Sequence, residues 1–241
     1  MTSPHSAPSL QLCKTCGGGA PVDVHFCPQC TKILALGRHG DFFAFFGLPR
    51  KLNIDAADLE ERFRSLSRQF HPDYFYNASP VERRASLERS SYLNDAYRTL
   101  RQPMARVEYL LQLEGLAARM DRRAGAPGGT DDAAKPGVPA ALLEEVFALN
   151  EELDEVRALR AGGAPPDDWK QRLERAARPI EAKRASHEAQ LSALAAEWDA
   201  LVEDGAVAAE GRKVLEALRE RVLERTYINN LLADIETELN S

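Results

Sequence analysis

The stretch Phe63-Arg-Ser-Leu-Ser-Arg-Gln-Phe-His-Pro-Asp73 joins an amphipathic helix to a proline-stiffened loop, and the fold of the middle of the chain follows from that junction. Upstream of the loop, Leu59, Phe63, Leu66 and Phe70 recur at intervals of four, three and four. That spacing puts them on one helical face and leaves Arg62, Arg64 and Arg68 to solvent. Asn53 and Asp55 offer N-caps, and the helix must stop at His71, because Pro72 disfavours helical geometry at the residue before it. A second helix is expected from Ser79, with Pro80 at its first position, to about Leu100. Leu87, Leu93, Ala96, Tyr97 and Leu100 would turn toward the first helix. Asp41 caps a short helix that ends near Leu48, before Pro49. Residues 71–79 thus form the loop of a helical hairpin. There the carboxylate of Asp73 can meet a cation on a partner, and Pro72 limits the backbone freedom that docking would freeze. From these residues alone a plainer reading also stands, in which His71 only ends a helix and Asp73 only starts a turn.

Around this block the 241-residue chain has 44% hydrophobic residues, enough for real cores. Its net charge of −6 is uneven: residues 139–241 carry −9, and the rest is slightly basic. No segment has the concentrated basic face that nucleic-acid binding requires. No run of residues is long and apolar enough for a membrane span, and the first residues lack signal or transit character, so a cytoplasmic protein is expected. Residues 1–9 read as a disordered lead-in. The Gly- and Pro-rich stretch within 116–138 reads as a flexible linker between a middle domain, 41–115, and a tail, 139–241.

All four cysteines lie near the start of the chain, as Cys13-Lys-Thr-Cys16 and Cys27-Pro-Gln-Cys30. Two such knuckles can set four thiolates around one ion, with Gly17-Gly-Gly easing the first turn. Residues 10–36 therefore read as a metal-binding module, with zinc in a closed structural site and iron in a rubredoxin-like site as the rival. Two disulfides do not suit a cytoplasmic chain. His25 is surplus to a complete ligand set and has no assigned role. Glycines between Gly37 and Gly40 are expected to uncouple this module from the middle domain.

The tail reads as an antiparallel three-helix bundle, broken at Gly162-Gly-Ala-Pro-Pro166 and near Asp204-Gly205. Leu142, Val146, Leu149, Leu153 and Val156 form the seam of its first helix. Leu143, Phe147, Glu151 and Glu155, at intervals of four, lie on a flank beside that seam, and from these residues alone the plainer reading is that Leu143 and Phe147 broaden the buried stripe while the glutamates form a solvated face. The middle helix carries Trp169, Leu173, Ile180, His187, Leu191 and Trp198 as core, with a kink at Pro179.

Taken together, Asp41-Phe-Phe-Ala-Phe-Phe-Gly-Leu-Pro49, the helix and loop through Asp73, Asn94-Asp-Ala-Tyr-Arg-Thr-Leu100 and Pro103-Met-Ala-Arg-Val-Glu-Tyr-Leu-Leu-Gln-Leu-Glu-Gly115 resemble a J domain. More narrowly, they resemble the HscB-type iron-sulfur cluster co-chaperones. Some proteins of that type carry a similar tetracysteine module ahead of the J domain. The resemblance implies a mainly α fold, with a J-domain hairpin and a three-helix tail preceded by a small zinc-knuckle module. It implies that His71, Pro72 and Asp73, with Arg64 and Arg68, engage an HscA-like, DnaK-type chaperone and promote its ATP hydrolysis. It also implies that Leu143, Phe147, Glu151, Glu155 and Tyr227 bind an IscU-type cluster scaffold, Ala148 standing where the family often has another acid. The chain would itself catalyse nothing. The alternatives are a general J protein holding unfolded clients and a rubredoxin-like redox protein.

Overall fold

In the computed structural model the described residues are 10–22, 24–36, 40–116 and 142–240. The expected lead-in, 1–9, and the expected linker from residue 117 onward lie outside them. The chain divides into two units, Met1–Leu113 and Glu114–Ser241, each with its own core.

The first unit opens with a two-stranded antiparallel ribbon, β1 (Leu10–Leu12) and β2 (Gly19–Pro21), inside the cysteine module. Asp41 then caps α1 (Phe42–Phe45) by accepting from the Ala44 amide at 3.0 Å. Asp55 caps α2 (Ala56–Phe70) by accepting from the amides of Ala57 and Asp58, and α2 ends at His71 as the following proline requires. A 3-10 turn (Pro72–Phe75) leads to α3 (Pro80–Arg101). At the start of α3, Ser79 and Glu82 satisfy each other's backbone amides in a capping box. α4 (Pro103–Leu113) comes after one residue.

Two polar side chains explain why the 103–115 block is built as it is. Arg106 is buried, and donates to the Leu100 carbonyl from Nε at 2.7 Å and also to the Leu52 carbonyl. It thereby satisfies the Leu100 carbonyl, left open where α3 ends abruptly, and ties the segment between α1 and α2 to that end. The Tyr109 hydroxyl accepts from the Phe42 amide at 2.9 Å while its ring stacks on Phe42 at 4.4 Å, so α4 fixes the start of α1. Phe43, Phe45, Leu59, Phe70, Leu93, Ala96 and Leu100 fill the core between the helices. Phe63 stacks on Tyr97 at its margin, with ring centroids 4.2 Å apart. One expectation fails here: Leu87 does not face α2 but is 59% exposed. Arg62 keeps a side chain 40% open to solvent, yet it also pairs with Asp58 and donates to the carbonyls of Phe46 and Gly47, closing the end of α1.

The second unit contains α5 (Leu143–Ala161), α6 (Pro166–Asp204) and α7 (Val207–Leu239). Glu152–Arg172 and Glu145–Lys183 contacts show that α5 and α6 run antiparallel, and His187–Glu224 with Gln190–Arg221 show the same for α6 and α7. Gly205, at φ 67°, supplies the left-handed cap at the α6–α7 turn. Leu142, Leu149, Leu153 and Val156 are buried against Trp169, Leu173, Ile180, Ile228, Leu231 and Ile235, so the expected seam is the core. α6 continues as one helix through Pro179. Among the described residues no helix is long and apolar enough to cross a membrane.

His187 is 4% exposed on the α6–α7 seam, and its Nε2 lies 3.4 Å from Glu224 Oε2. Burial holds its imidazole below the usual histidine range, against the pull of the Glu224 carboxylate. The unfolded chain therefore binds that proton more readily than the folded one. This contribution to bundle stability is complete above the ordinary histidine value of about 6.5 and declines as the pH falls below it. His187→Gln should flatten the acid-side loss of Tm between neutral pH and about pH 5. An unchanged pH slope in thermal melts would contradict this account.

Candidate functional site

Three groups of residues carry chemistry, and the first is the loop that links α2 to α3. Pro72 at the start of the 3-10 turn fixes the direction in which the chain leaves His71. His71 Nδ1 accepts from the Asp73 amide at 3.3 Å, and the Tyr74 amide donates to the His71 carbonyl at 3.0 Å. With these bonds the backbone holds the Asp73 carboxylate outward, and its side chain is 87% exposed. His71 thus does what a helix terminator does and also orients the next carboxylate. Arg68 is exposed in the last turn of α2. Arg64 lies one turn earlier and pairs with Glu60 at 2.5 Å on the surface, a pairing weak enough to exchange for a partner. Tyr74 and Tyr76 follow Asp73 in the loop and are 73% and 79% exposed.

The second group is the tetracysteine cluster. Sγ atoms of Cys13, Cys16, Cys27 and Cys30 all lie within 4.8 Å of one another. Cys13–Cys30 and Cys16–Cys27 are each separated by 3.7 Å. A zinc–sulfur bond of about 2.3 Å gives a tetrahedral edge of about 3.8 Å, so the spacing fits one ion. Both knuckles use the same backbone bonds. The Cys13 and Cys27 amides donate to the carbonyls of Gly18 and Lys32, and the amides of Gly17 and Thr31 donate back to the carbonyls of Cys13 and Cys27. The fold therefore needs a left-handed residue at the same place in each, and Gly17 and Thr31 supply it at φ 72° and 58°. Despite burial, amides of Cys16 and Thr15 draw the Cys13 thiol down to about 6. Cys30, although it receives a bond from the Lys32 amide, is pushed up to about 12 by burial and the neighbouring sulfurs. Four sulfurs this close cannot all ionise without a cation among them.

The module is not uncoupled from the helices of the middle domain. Arg89, on α3, is fully buried; it donates to the Leu34 carbonyl at 2.8 Å and to the Ala35 carbonyl at 3.4 Å, and meets His25 Nδ1 at 2.7 Å. Burial brings its guanidinium down to about 10. Lys32 pairs with Glu82 at 3.1 Å, and Ile33 enters the core of the hairpin. His25, for which the sequence offered no role, is one of the docking residues. An arginine amid small residues on a core-facing helix was its only visible signal.

The third group lies on the tail. Leu143 and Phe147 are 39% and 67% exposed, and Glu151 and Glu155 are exposed beside them on α5. Glu155 shares Arg172 with Glu152, whose carboxyl that arginine holds below the usual range. Tyr227, on α7, packs partly buried against the bundle core and offers only part of its ring. A groove of about 270 Å³ between α5 and α6, lined by Ala148, Leu149, Glu152, Ala176, Pro179 and others, escaped the sequence reading. Small side chains at 148, 176 and 179 face each other and leave the space open.

Among its described residues the chain thus combines a tetracysteine module docked on a helical hairpin with a three-helix bundle further along. Among solved structures it is similar to the crystal structure of human co-chaperone protein HscB, with a TM-score of 0.60 and 24% identity over 95% of this chain and 98% of that one. It is also similar to chaperone HscB from Vibrio cholerae, with a TM-score of 0.50 and 26% identity over 82% of this chain and 96% of that one. No family model matches the chain. The resemblance read from the sequence, HscB-type with an added tetracysteine module, therefore holds in the fold.

Full-length protein purified under reducing, metal-replete conditions should hold a single divalent ion, with zinc and no visible absorbance as the expected outcome. Cys13→Ser with Cys16→Ser should release the ion. It should also lower the melting temperature of the helical hairpin, because the module shares its core. Metal-free protein would overturn the site, and a red, iron-loaded protein would overturn zinc.

Proposed function

We propose that this chain is a cytoplasmic, non-enzymatic J-domain co-chaperone of iron-sulfur cluster assembly. It stimulates ATP hydrolysis by an HscA-like, DnaK-type chaperone and delivers an IscU-type scaffold to it. The observation that carries this reading is the loop geometry: an outward carboxylate at Asp73, 87% exposed, positioned by the local hydrogen bonds of His71 and stiffened by Pro72. Such a group gains little by staying at home and much by meeting a buried cation on a partner. Arg68 and Arg64 on α2 extend the same contact to acidic groups of the chaperone. No bond is made or broken by these side chains. Their work is to bind one conformational state of the chaperone better than the other, and so to shift its equilibrium toward hydrolysis.

The similarity to human and Vibrio cholerae HscB supports the second half of the reading. Leu143 and Phe147 supply an apolar contact, Glu151 and Glu155 an acidic border, and Tyr227 the rim of an aromatic ring. A scaffold with an apolar segment next to basic residues suits that surface. Zinc in the tetracysteine site supplies structure and no redox chemistry.

The test is a single-turnover ATPase assay with a cognate DnaK-type chaperone, run beside a scaffold-binding titration. His71→Gln or Asp73→Asn should abolish stimulation and leave scaffold affinity and melting temperature nearly unchanged. Leu143→Ala with Phe147→Ala should do the reverse, weakening scaffold binding by roughly tenfold or more while stimulation by the free co-chaperone persists. Stimulation that survives both loop substitutions would sink the reading.

A further inference from the structure

Phe70 is the last residue of α2 and stands directly before the His71-Pro72-Asp73 loop; it is fully buried. Its carbonyl accepts from Ser86 Oγ at 2.6 Å and Ser90 Oγ at 2.9 Å, so α3 grips the backbone at the point where the helix stops. Its ring is gripped from the other side. His25 meets it edge-on at 4.9 Å, Phe26 lies at 6.1 Å, and the Arg89 guanidinium sits over the ring at 5.7 Å. His25 and Phe26 belong to the cysteine module and immediately precede the ligand residue Cys27.

These two side chains are held by the second knuckle. Phe26 bridges to Ile33, the Leu34 amide donates to the His25 carbonyl at 3.0 Å, and the Cys27 amide closes the turn on the Lys32 carbonyl at 2.9 Å. Arg89 then links this arm to α3 through Leu34, Ala35 and His25. Because an arginine can only donate, Nδ1 of His25 is the acceptor, which fixes the imidazole as the Nε2–H tautomer. If the knuckle opens, the buried guanidinium loses these three acceptors and Phe70 loses two of its ring contacts.

We propose that the tetracysteine module is a metal-dependent brace for the His-Pro-Asp loop, in which His25 and Arg89 are positioning residues that act through Phe70. The metal-loaded second knuckle holds Phe70 still, and so holds the direction in which the Asp73 carboxylate points. Loss of the metal slackens the loop without removing any residue that touches the chaperone. The link to chaperone stimulation rests on the function proposed above, whereas the link between module and loop does not.

Two readouts on the full-length, metal-loaded protein test this. In ¹⁵N NMR relaxation, the amides of His71, Asp73 and Tyr74 should have order parameters near the rigid value of about 0.85, falling toward about 0.6 in His25→Ala. Amides of the α3 core such as Leu93 should not move, whereas general destabilisation would loosen them too. In the ATPase assay, His25→Ala should raise the half-stimulating concentration several-fold while keeping maximal stimulation and a full complement of metal. His25→Asn, whose Oδ1 can replace Nδ1 as acceptor for Arg89, should recover part of both effects. If His25→Ala sheds its metal, His25→Asn carries the comparison, and stripping the wild type with a chelator should give the same loosened loop. Unchanged loop order parameters in His25→Ala and in chelated protein would overturn the brace. Wild-type protein that stimulates no DnaK-type chaperone, yet shows metal-dependent loop rigidity, would overturn the proposed function and leave the brace standing.

Discussion

One buried guanidinium organises the first unit. Arg89 projects from α3 into a site with no solvent, where leaving its N–H groups unpaired would cost several kcal/mol. Three acceptors it finds, the carbonyls of Leu34 and Ala35 and the imidazole of His25, belong to the cysteine module. Charge burial thus makes the module and the helical hairpin conditional on each other. Its cost is visible in the guanidinium itself, which desolvation brings down to about 10. With Phe70 beneath the same guanidinium, the end of α2 and the geometry of the loop beyond it inherit that constraint.

The second unit is built on a different balance. Its core is an apolar seam interrupted by the buried His187–Glu224 pair, and polar contacts at its edges set helix direction: Arg157 and Arg160 on α5 converge on Glu238 of α7, and Arg172 joins α6 to Glu152 and Glu155. Leu143 and Phe147 take no part in that seam. They remain exposed although nearby positions on the same helix are buried, which is how a stable bundle can keep an apolar contact surface in reserve. The loop and the patch lie in separate units with separate cores, so each can be altered without dismantling the other.

Local periodicity and capping were sufficient to read most of this from the sequence. The 4-3-4 spacing through Phe70 and the proline rule at His71 gave the end of α2, and Asp41, Asp55 and Ser79 are the caps that their side chains suggested. The paired knuckles were legible because four cysteines at that spacing have few other uses. What remained hidden depends on contacts far apart in the chain. Leu87 fits the helical period but falls on the open side of α3, and Arg62, partly open to solvent, also turns back to α1. Glycines near residue 40 suggested an independent module, yet Arg89 bonds it across more than fifty residues, a contact no local rule encodes. Likewise the groove between α5 and α6 arises only when Ala148 meets Ala176 and Pro179.

In the function proposed above, the surface around Asp73, and not the tail, meets the chaperone. Chemical-shift mapping on the ¹⁵N-labelled full-length protein, titrated with an ATP-bound DnaK-type chaperone, tests this most directly. The account predicts perturbations concentrated on Arg64, Arg68, His71, Asp73, Tyr74 and Tyr76, with the amides of α5 and α7 unmoved. Perturbations confined to the tail, with a silent loop, would contradict it.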